Sequence, residues 1–348
     1  MTQRIYLDHA ATTPLRPEAL TAMEEGYSIW ANPSSPHGEG RKAKAALEDA
    51  RARVKSALKW EGEVIFTGGA SEALMIGLRQ AKAARRLASA VEHDAVFRAA
   101  PDAEVVPMDD GAVDLGALEK ALAGSGNAVL SLQSINSETG TVLIPHEGTE
   151  ALDMVREAGG LFLADCSQSA GRVPLPDADM VAVAGHKFGA PVGVGALLVR
   201  DFAMLEPTGG HERGYRQGTE NLPAIMGLAA ALEAGGIETW PTTYPDRFEF
   251  KDRMRRHGEV ICIGPQCSHI IAVAHPEMSA QALLIRLDAL GFAVSAGSAC
   301  SSGTLKKSRV LDAFGVSDDL ASRTIRVSMG WNTTPAELDA FVAAWKSV

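Results

Sequence analysis

The sequence of 348 residues is poor in cysteine. Its four cysteines, Cys166, Cys262, Cys267 and Cys300, are too few and too scattered to form a disulfide framework in so long a chain. We therefore expect reduced thiols. Cys262 and Cys267, with His269 nearby, could be zinc ligands, but their spacing is wide for a zinc knuckle and no fourth ligand is obvious. We expect no metal site and interpret these two cysteines as strand and turn residues.

Long hydrophobic runs and long basic runs are also missing. No uninterrupted apolar run reaches bilayer length, so no membrane partner is expected. The start, MTQRIYLDHAATTP, has neither the apolar core of a signal peptide nor the character of a transit peptide, which favours a cytoplasmic protein. The 33 basic and 43 acidic residues give a net charge of -10, without a basic run that could follow a phosphate backbone. Direct binding of nucleic acid is therefore not expected, whereas small molecules and proteins remain as ligands.

The sequence instead alternates apolar strands with helical segments, and 46% of its residues are hydrophobic. Strands are predicted at continuous apolar segments, which lie at residues 64–69, 128–132, 161–165, 179–184 and 195–200. Helices are predicted over 36–59, over 71–86 with Ser71 as the N-cap, and near 147–158. Apolar strands separated by helices are typical of a mostly parallel sheet covered on both faces. The predicted fold class is α/β.

A stretch rich in proline, aromatic and charged residues, WPTTYPDRFEFKD at 240–252, interrupts this alternation. A second, smaller α+β unit is predicted after it, with strands and helices at 268–275, 279–290, 324–329 and 335–346. The turn-rich N-terminal segment has no partner in the alternating region and is expected to pack with this unit. We therefore predict a large ligand-binding domain over 16–240, and a small domain formed by 1–15 and 241–348 that carries Cys300.

Polar residues follow several predicted strands, at the edge where ligand sites form in open α/β sheets. The glycine turn before Ser71 is a possible phosphate seat, although many strand-to-helix turns use glycine. Asp165 and Gln168 follow one strand, and His186 and Lys187 follow its neighbour. A lysine at a strand end is usually a solvated surface residue. The alternative is a partly desolvated amine of lowered pKa that forms a Schiff base.

Together these residues match the needs of pyridoxal phosphate. This cofactor needs an anion at its ring nitrogen, a lysine at its aldehyde, a phosphate cradle and commonly an aromatic or imidazole ring on its face. Asp165 could supply the anion and Lys187 the amine. The Ser71 turn could supply the phosphate cradle, and His93 the ring on the cofactor face. The GxG in PVGVGALL does not indicate a dinucleotide site, because a strand rather than a helix is predicted after it.

The segment SAGSACSSG, at residues 295–303, surrounds Cys300 with small residues. Two interpretations are open from these residues alone. One is a flexible surface loop that carries an incidental cysteine. The other is a thiol that must travel, because glycine and serine neighbours leave the backbone free to move.

An ordered series of motifs across nearly the whole chain resembles the cysteine desulfurases, pyridoxal-phosphate enzymes of the aminotransferase class V group. The motifs are YLDHAATTP, NPSSPHGEG, FTGGASEA, VEHDAV, INSETG, ADCSQSAG, AGHKFGAPVGVG, YRQGTEN, SAGSACSSG and TIRVSMGWNTTPAEL. The resemblance implies a fold type I pyridoxal-phosphate transferase. It implies conversion of L-cysteine to L-alanine with a persulfide on Cys300, which is passed to an iron–sulfur scaffold or another sulfur-acceptor protein. The cysteine segment resembles the branch with a long catalytic loop.

The resemblance also implies roles for single residues. Lys187 would hold the cofactor aldehyde and remove the α-proton of the substrate, Asp165 would face the pyridine nitrogen, and Gln168 would face the phenolic oxygen. His93 would stack on the ring and belong to the catalytic set. The phosphate would be held by Gly69, Ala70, Ser71 and His186, and by Thr219 of the neighbouring subunit in a homodimer. Arg326 would bind the substrate carboxylate, and Asn32 would also belong to the substrate site.

Several positions depart from the family pattern, and among them Leu74 and Met75 replace polar residues after the phosphate turn. Ser137 replaces an asparagine that usually contacts the phenolic oxygen, and Ala184 replaces a serine that helps to hold the phosphate. His9 and Trp331 replace an asparagine and an arginine. Two alternatives to the desulfurase therefore stay open: a selenocysteine lyase or another class V carbon–sulfur lyase, and a weakly active homologue that serves as a sulfur relay or binding module.

Overall fold

The computed structural model describes residues 4–145, 148–296 and 308–348. The strands among these residues are β1 (Ile5–Tyr6), β2 (Glu63–Thr67), β3 (Arg85–Ser89), β4 (Glu104–Val106), β5 (Met108–Asp109), β6 (Ala112–Val113), β7 (Ala128–Gln133), β8 (Leu161–Asp165), β9 (Met180–Ala184), β10 (Gly195–Val199), β11 (Glu259–Ile261), β12 (Ile270–Ala274), β13 (Phe292–Ala293) and β14 (Thr324–Ser328). The helices are α1 (Pro17–Ser28), α2 (Gly38–Leu58), α3 (Ala70–Arg79), α4 (Asp94–Ala99), α5 (Leu115–Leu122), α6 (Glu150–Glu157), α7 (Leu222–Glu233), α8 (Tyr244–Arg255), α9 (Ala280–Ala289), α10 (Arg309–Ala313), α11 (Asp318–Ser322) and α12 (Pro335–Trp345).

A seven-stranded sheet in the described part of the chain has the order β2-β10-β9-β8-β7-β3-β4. Every neighbouring pair is parallel except the two pairs that involve β10. Strands β7 to β10 are buried almost throughout, because helices cover both faces of the sheet. The predicted α/β class with a mostly parallel sheet is confirmed. The carboxyl ends of β2, β3, β7, β8 and β9 meet at one edge.

The predicted helix over 71–86 is wrong at both ends. Helix α3 begins at Ala70, and its N-cap is Gly69, whose φ of 145° lies in the region that favours glycine. Ser71 therefore lies in the first turn of the helix and is not its cap. The helix ends at Arg79, and the helix-forming residues that follow lead into β3 at Arg85. Pairing of β3 with β4 and β7 outweighs the local helix preference of this segment.

The stretch at 240–252 forms most of α8 and is not a break in regular structure. Thr243 and Asp246 form a capping box at its start, where the proline fits the first turn. Helices α8, α9 and α12 pack with an antiparallel sheet of order β11-β12-β14. The N-terminal segment joins this unit as expected, because β1 pairs with β13 and Leu7 lies in the same apolar cluster. The exact domain limits stay a prediction.

None of the helices formed by the described residues is long and apolar enough to cross a membrane.

A buried ion pair fixes the segment before α7 against the central sheet. Nη1 and Nη2 of Arg51 donate to the Glu212 carboxylate at 2.8 and 2.9 Å, and the backbone N–H of Phe66 donates to it at 2.8 Å. Arg51 is 5% exposed and Glu212 4% exposed. Breaking such a pair leaves an uncompensated charge inside the protein, which is costly.

We expect Glu212→Ala to lower the free energy of unfolding by about 3–5 kcal/mol, because it strands the buried Arg51 guanidinium. The matched control is Glu233→Ala, which removes a similar two-pronged but half-exposed pair with Arg53. That change should cost at most about 1 kcal/mol. Urea unfolding of the cofactor-free variants measures both values. Equal losses of unfolding free energy in the two variants would show that burial of the pair does not increase its contribution to stability.

Candidate active site

A pocket of 760 Å³ opens at the edge where the parallel strands end. It is lined by nine of the predicted site residues, which are Gly69, Ala70, Ser71, His93, Asp165, Gln168, His186, Lys187 and Arg326. These residues are far apart in the sequence, and the sheet topology brings them together. The pocket therefore coincides with the predicted cofactor and substrate site.

Lys187 lies at the end of a short 3₁₀ turn, Gly185–Lys187, that follows β9. Its Nζ donates hydrogen bonds to the carbonyl oxygens of Ala10 and Ala11 at 2.6 and 2.8 Å. Burial, together with the charges of Arg326 and Arg172, lowers the pKa of the Lys187 amine to about 8. The amine is thus partly uncharged near neutral pH, as an amine that forms a Schiff base requires.

Gln168 shares a hydrogen-bond acceptor with this lysine. Its Nε2 donates to the Ala10 carbonyl at 2.9 Å, so Nε2 of Gln168 and Nζ of Lys187 both contact one oxygen. In pyridoxal phosphate the aldehyde and the phenolic oxygen are on neighbouring ring atoms. The two side chains are therefore close enough together to serve these two groups, and the donor set fits the cofactor.

Asp165 ends β8 and is 5% exposed. Its Oδ1 accepts hydrogen bonds from the backbone N–H of Ser167 at 2.9 Å and from the Ser167 hydroxyl at 2.5 Å. No residue in the described ranges donates to Oδ2. One oxygen is thus held by the turn, and the other is left for an N–H donor such as a protonated pyridine nitrogen.

His93 is the N-cap of α4, and this role fixes its ring. Its Nδ1 accepts from the backbone N–H of Ala95 at 3.1 Å, which places the proton of the neutral ring on Nε2. Burial lowers the pKa of His93, while the nearby Asp165 carboxylate opposes the shift. A neutral, fixed imidazole at the pocket wall is suited to stacking on a flat ring.

Sequence reasoning missed the carboxyl group of Glu92, which is fully buried next to His93. It accepts hydrogen bonds from Ser89 Oγ at 2.7 Å, Ser131 Oγ at 3.1 Å and the backbone N–H of Gln133 at 2.8 Å. Burial, together with the Asp165 charge, raises the pKa of Glu92 to about 7. Glu92 joins the ends of β3 and β7 and so fixes the segment that carries His93. The only sequence signal for Glu92 was its position as the acidic residue directly before His93 in VEHDAV.

The predicted phosphate seat lies at the start of α3, where Gly69, Ala70 and Ser71 line the pocket. A helix N-terminus and its free N–H groups favour an anion. Burial, with the charges of Lys187 and Arg172, lowers the pKa of His186 to about 4, so its ring is neutral at pH 7. The Glu72 carboxylate accepts from the backbone N–H of Gly68 and pairs with Arg216 at 3.2 Å beside this seat.

Arg326, on β14, reaches the pocket from the small sheet. Its Nη2 donates to Asp8 Oδ1 at 2.8 Å and its Nη1 to the Ser137 carbonyl at 2.9 Å. Its Nε is buried and has no protein partner among the described residues. An unpaired buried donor on a guanidinium suits a carboxylate ligand. The partnership with Asp8 was missed from the sequence, although Asp8 is part of YLDHAATTP.

Two predicted site residues are not brought into the pocket, and a third is not among the residues that the structure describes. Thr219 and Asn32 are exposed and do not line it. The role of Thr219 at the phosphate site of a partner subunit stays a prediction. Cys300 lies outside the described residues. The chain on either side of its segment does line the pocket, through Ser295 before it and Arg309 after it.

The departures at His9 and Trp331 have structural explanations. The His9 ring is buried where a side chain at position 330 would otherwise lie, so Gly330 accommodates it. Burial lowers the pKa of His9 to about 3, and the ring is neutral. Trp331 Nε1 donates to the Pro14 carbonyl at 2.9 Å, and the Arg16 guanidinium lies 5.4 Å from the centre of its ring. These residues pack the N-terminal segment against the small sheet.

Known proteins match the chain over nearly its whole length. The sequence model of the aminotransferase class V family matches residues 5–341. A cysteine desulfurase of Cereibacter sphaeroides is 38% identical, over 97% of this chain and 93% of its own length. Cysteine desulfurase IscS of Dictyoglomus turgidum is 32% identical over the same shares. Among solved structures, a NifS-like protein from Rickettsia africae aligns with a TM-score of 0.84 and 27% identity over 99% of both chains. SspA in complex with cysteine aligns with a TM-score of 0.78 and 27% identity, over 95% of this chain and 100% of that chain.

We expect the Lys187 amine of the cofactor-free protein to titrate with a midpoint of about pH 8, because burial and the Arg326 charge disfavour its charged form. An ordinary lysine, with a pKa of about 10.4, is uncharged to less than about 1% at that pH. The measurement is the rate of Lys187 acetylation by limiting acetic anhydride against pH, read by peptide mass spectrometry. Acetylation of the exposed Lys44 is measured in the same samples, as a control for the activity of the reagent.

Arg326→Gln should move this midpoint upward, because it removes the strongest neighbouring positive charge. A midpoint near the ordinary lysine value in the unaltered protein would refute the proposed environment of the amine.

Proposed function

The chain belongs to the aminotransferase class V family and is a cysteine desulfurase dependent on pyridoxal phosphate, and we propose the following roles for its residues. The proposal rests on the Ala10 carbonyl oxygen, which accepts hydrogen bonds from both Lys187 Nζ and Gln168 Nε2 and so holds them close together. Asp165 and His93 line the same pocket. In this arrangement Lys187 holds the aldehyde and Gln168 the phenolic oxygen. Asp165 holds the ring nitrogen, and His93 covers the ring face.

Lys187 also acts as the base. Pyridoxal phosphate, when bound, supplies a ring that accepts the electrons left at the α-carbon after deprotonation. A lysine of ordinary pKa would be protonated at pH 7, whereas the lowered pKa of Lys187 gives an uncharged fraction that takes the α-proton of the substrate. His93, neutral and with its proton on Nε2, covers the pocket wall and excludes water from the reacting face.

Arg326 orients the substrate through its carboxylate. The buried Nε has no partner among the described residues, whereas Nη2 donates to Asp8 and Nη1 to the Ser137 carbonyl. A carboxylate that binds the guanidinium edge fixes the amino acid backbone, so that the side-chain sulfur points towards the mouth of the pocket. Ser295 and Arg309, which flank the Cys300 segment, line the pocket.

Cys300 receives the sulfur. Its thiolate attacks the sulfur of the bound cysteine, so the substrate carbon–sulfur bond breaks as a sulfur–sulfur bond forms. The substrate carbon takes up a proton, and L-alanine leaves. Cysteine and the Cys300 thiol thus give alanine and a Cys300 persulfide, without an external oxidant or reductant.

Several features of the reaction in the cell are part of the proposal. The persulfide sulfur passes to an acceptor protein, either an iron–sulfur scaffold or a relay protein. A reducing compartment, the cytoplasm, keeps the relay thiols available. Thr219 is exposed, and in a homodimer it reaches the phosphate site of the partner subunit. We also propose the domain division at residue 240, with residues 1–15 in the small domain.

We expect Cys300→Ser to abolish alanine formation from L-cysteine, because the hydroxyl cannot accept sulfur as a persulfide. The matched control is Cys262→Ser, which removes an exposed thiol outside the pocket and should keep full activity. Alanine is quantified after incubation with pyridoxal phosphate and a thiol reductant. Mass spectrometry without reductant should find the extra sulfur on the peptide that contains Cys300.

Full activity in Cys300→Ser would overturn the assignment of the sulfur acceptor. Selenocysteine activity that persists in this variant without cysteine activity would favour a selenocysteine lyase. A protein that takes up no pyridoxal phosphate would favour the relay alternative.

A further inference from the structure

Arg172 carries a buried charge that no carboxylate of the described residues balances. It follows Gly171 in the turn after β8 and is 3% exposed. Nη1 donates to the backbone carbonyl of Gln168 at 2.8 Å and to its side-chain Oε1 at 3.1 Å, and Nη2 donates to the Lys187 carbonyl. All three acceptors are neutral, and Nε has no partner among the described residues. A buried cation without a counter-ion is costly, so its placement calls for an anion.

No anion in the described part of the chain fills this role. The ionisable groups that act on Arg172, or on which it acts, are Arg16, Cys267, His9, His269, His186 and Lys187. Burial raises the pKa of Cys267 and lowers the pKa of His9 and His269, which keeps these three groups neutral. Burial lowers the pKa of Arg172 itself to about 10, and it remains charged at pH 7.

The contacts of Arg172 fix the direction of the Gln168 amide. A guanidinium only donates hydrogen bonds, so the amide oxygen of Gln168 must face it. The Ala10 carbonyl only accepts, so the amide NH₂ must face Ala10, at 2.9 Å. One N–H of this NH₂ is used by Ala10, and the second is left for the pocket that Gln168 lines.

We propose that Arg172 is a positioning residue of the active site, which holds the Gln168 amide with its NH₂ towards the cofactor and whose unbalanced charge is matched by the phenolate oxygen of bound pyridoxal phosphate. Gln168 relays the charge, because its Oε1 accepts from Arg172 while its Nε2 donates on the pocket side. The contact of Arg172 with the Lys187 carbonyl fixes the turn that carries the amine. This inference rests on the proposed roles of Lys187 and Gln168.

The test is Arg172→Met, which removes the charge and the donors at similar length. A nearby cation disfavours a further proton on the bound cofactor and on Lys187. The pH midpoint of the absorbance of the bound cofactor should therefore rise by about one unit in the variant. The acetylation midpoint of Lys187 in the cofactor-free protein should also rise. Arg172→Lys, which keeps the charge, should leave both midpoints closer to those of the unaltered protein.

Arg16→Met is the matched control. Arg16 is also buried, at 5% exposure, and its donors contact carbonyl groups of Phe188, Ala234 and Gly235 but not Gln168. It should lower stability as Arg172→Met does without moving the absorbance midpoint. If Arg172→Met does not fold, Arg172→Gln replaces it, since glutamine also removes the charge.

The outcomes separate this inference from the proposed function. Unaltered protein that shows no absorbance of bound cofactor would refute the proposed function itself. Normal cofactor binding with an unmoved midpoint in Arg172→Met would overturn the inference alone. An equal shift in Arg172→Met and Arg16→Met would likewise overturn it, because the effect would then be general destabilisation.

Discussion

The Ala10 carbonyl is the point at which the two sheets of this enzyme meet. It accepts from Lys187 Nζ and Gln168 Nε2, which follow two neighbouring strands of the central sheet. The N–H of Ala10 donates to Ser328 Oγ on the small antiparallel sheet at 2.9 Å. Ala10 thus connects two elements. One is the pair of strand ends that carry Gln168 and Lys187, and the other is strand β14, which carries Arg326. Because the N-terminal segment is placed by both sheets, the distance between cofactor and substrate groups is set by backbone geometry.

Charge balance is the second constraint on the pocket. Lys187, Arg172 and Arg326 place three basic groups around a buried site, while Asp165 and Asp8 supply fixed carboxylates. A phosphate, a phenolate and a substrate carboxylate bring the anions that this arrangement requires. Before they bind, mutual repulsion and burial keep the amine of Lys187 partly uncharged. The excess of basic groups therefore favours ligand binding and also maintains the reactive form of the lysine.

The sequence was sufficient for five of the seven strands of the central sheet and for the polar residues at the strand ends, because apolar runs and the residues that follow them are local signals. The sequence was insufficient where tertiary contacts determine the secondary structure of a segment or the importance of a residue. The segment after Arg79 has good helix formers and still extends into β3, since it pairs with two strands. Proline and charge at 240–252 suggested a break, whereas Thr243 and Asp246 cap a helix there. Glu92 and Arg172 were missed because their importance lies in burial, which a lone charged residue does not reveal.

The departures from the family pattern fall into two physical kinds. His9 is compensated, because Gly330 leaves the space that its ring fills and Thr333 contacts its Nε2 at 3.3 Å. Nothing in the described part of the structure explains Ser137 and Ala184 in this way. The Ser137 carbonyl accepts a hydrogen bond from Arg326, but a serine side chain supplies no amide donor at this position. In the proposed arrangement Gln168 is then the main side-chain donor to the phenolic oxygen of the cofactor, so a residue that fixes its amide matters more here than where a second donor contributes.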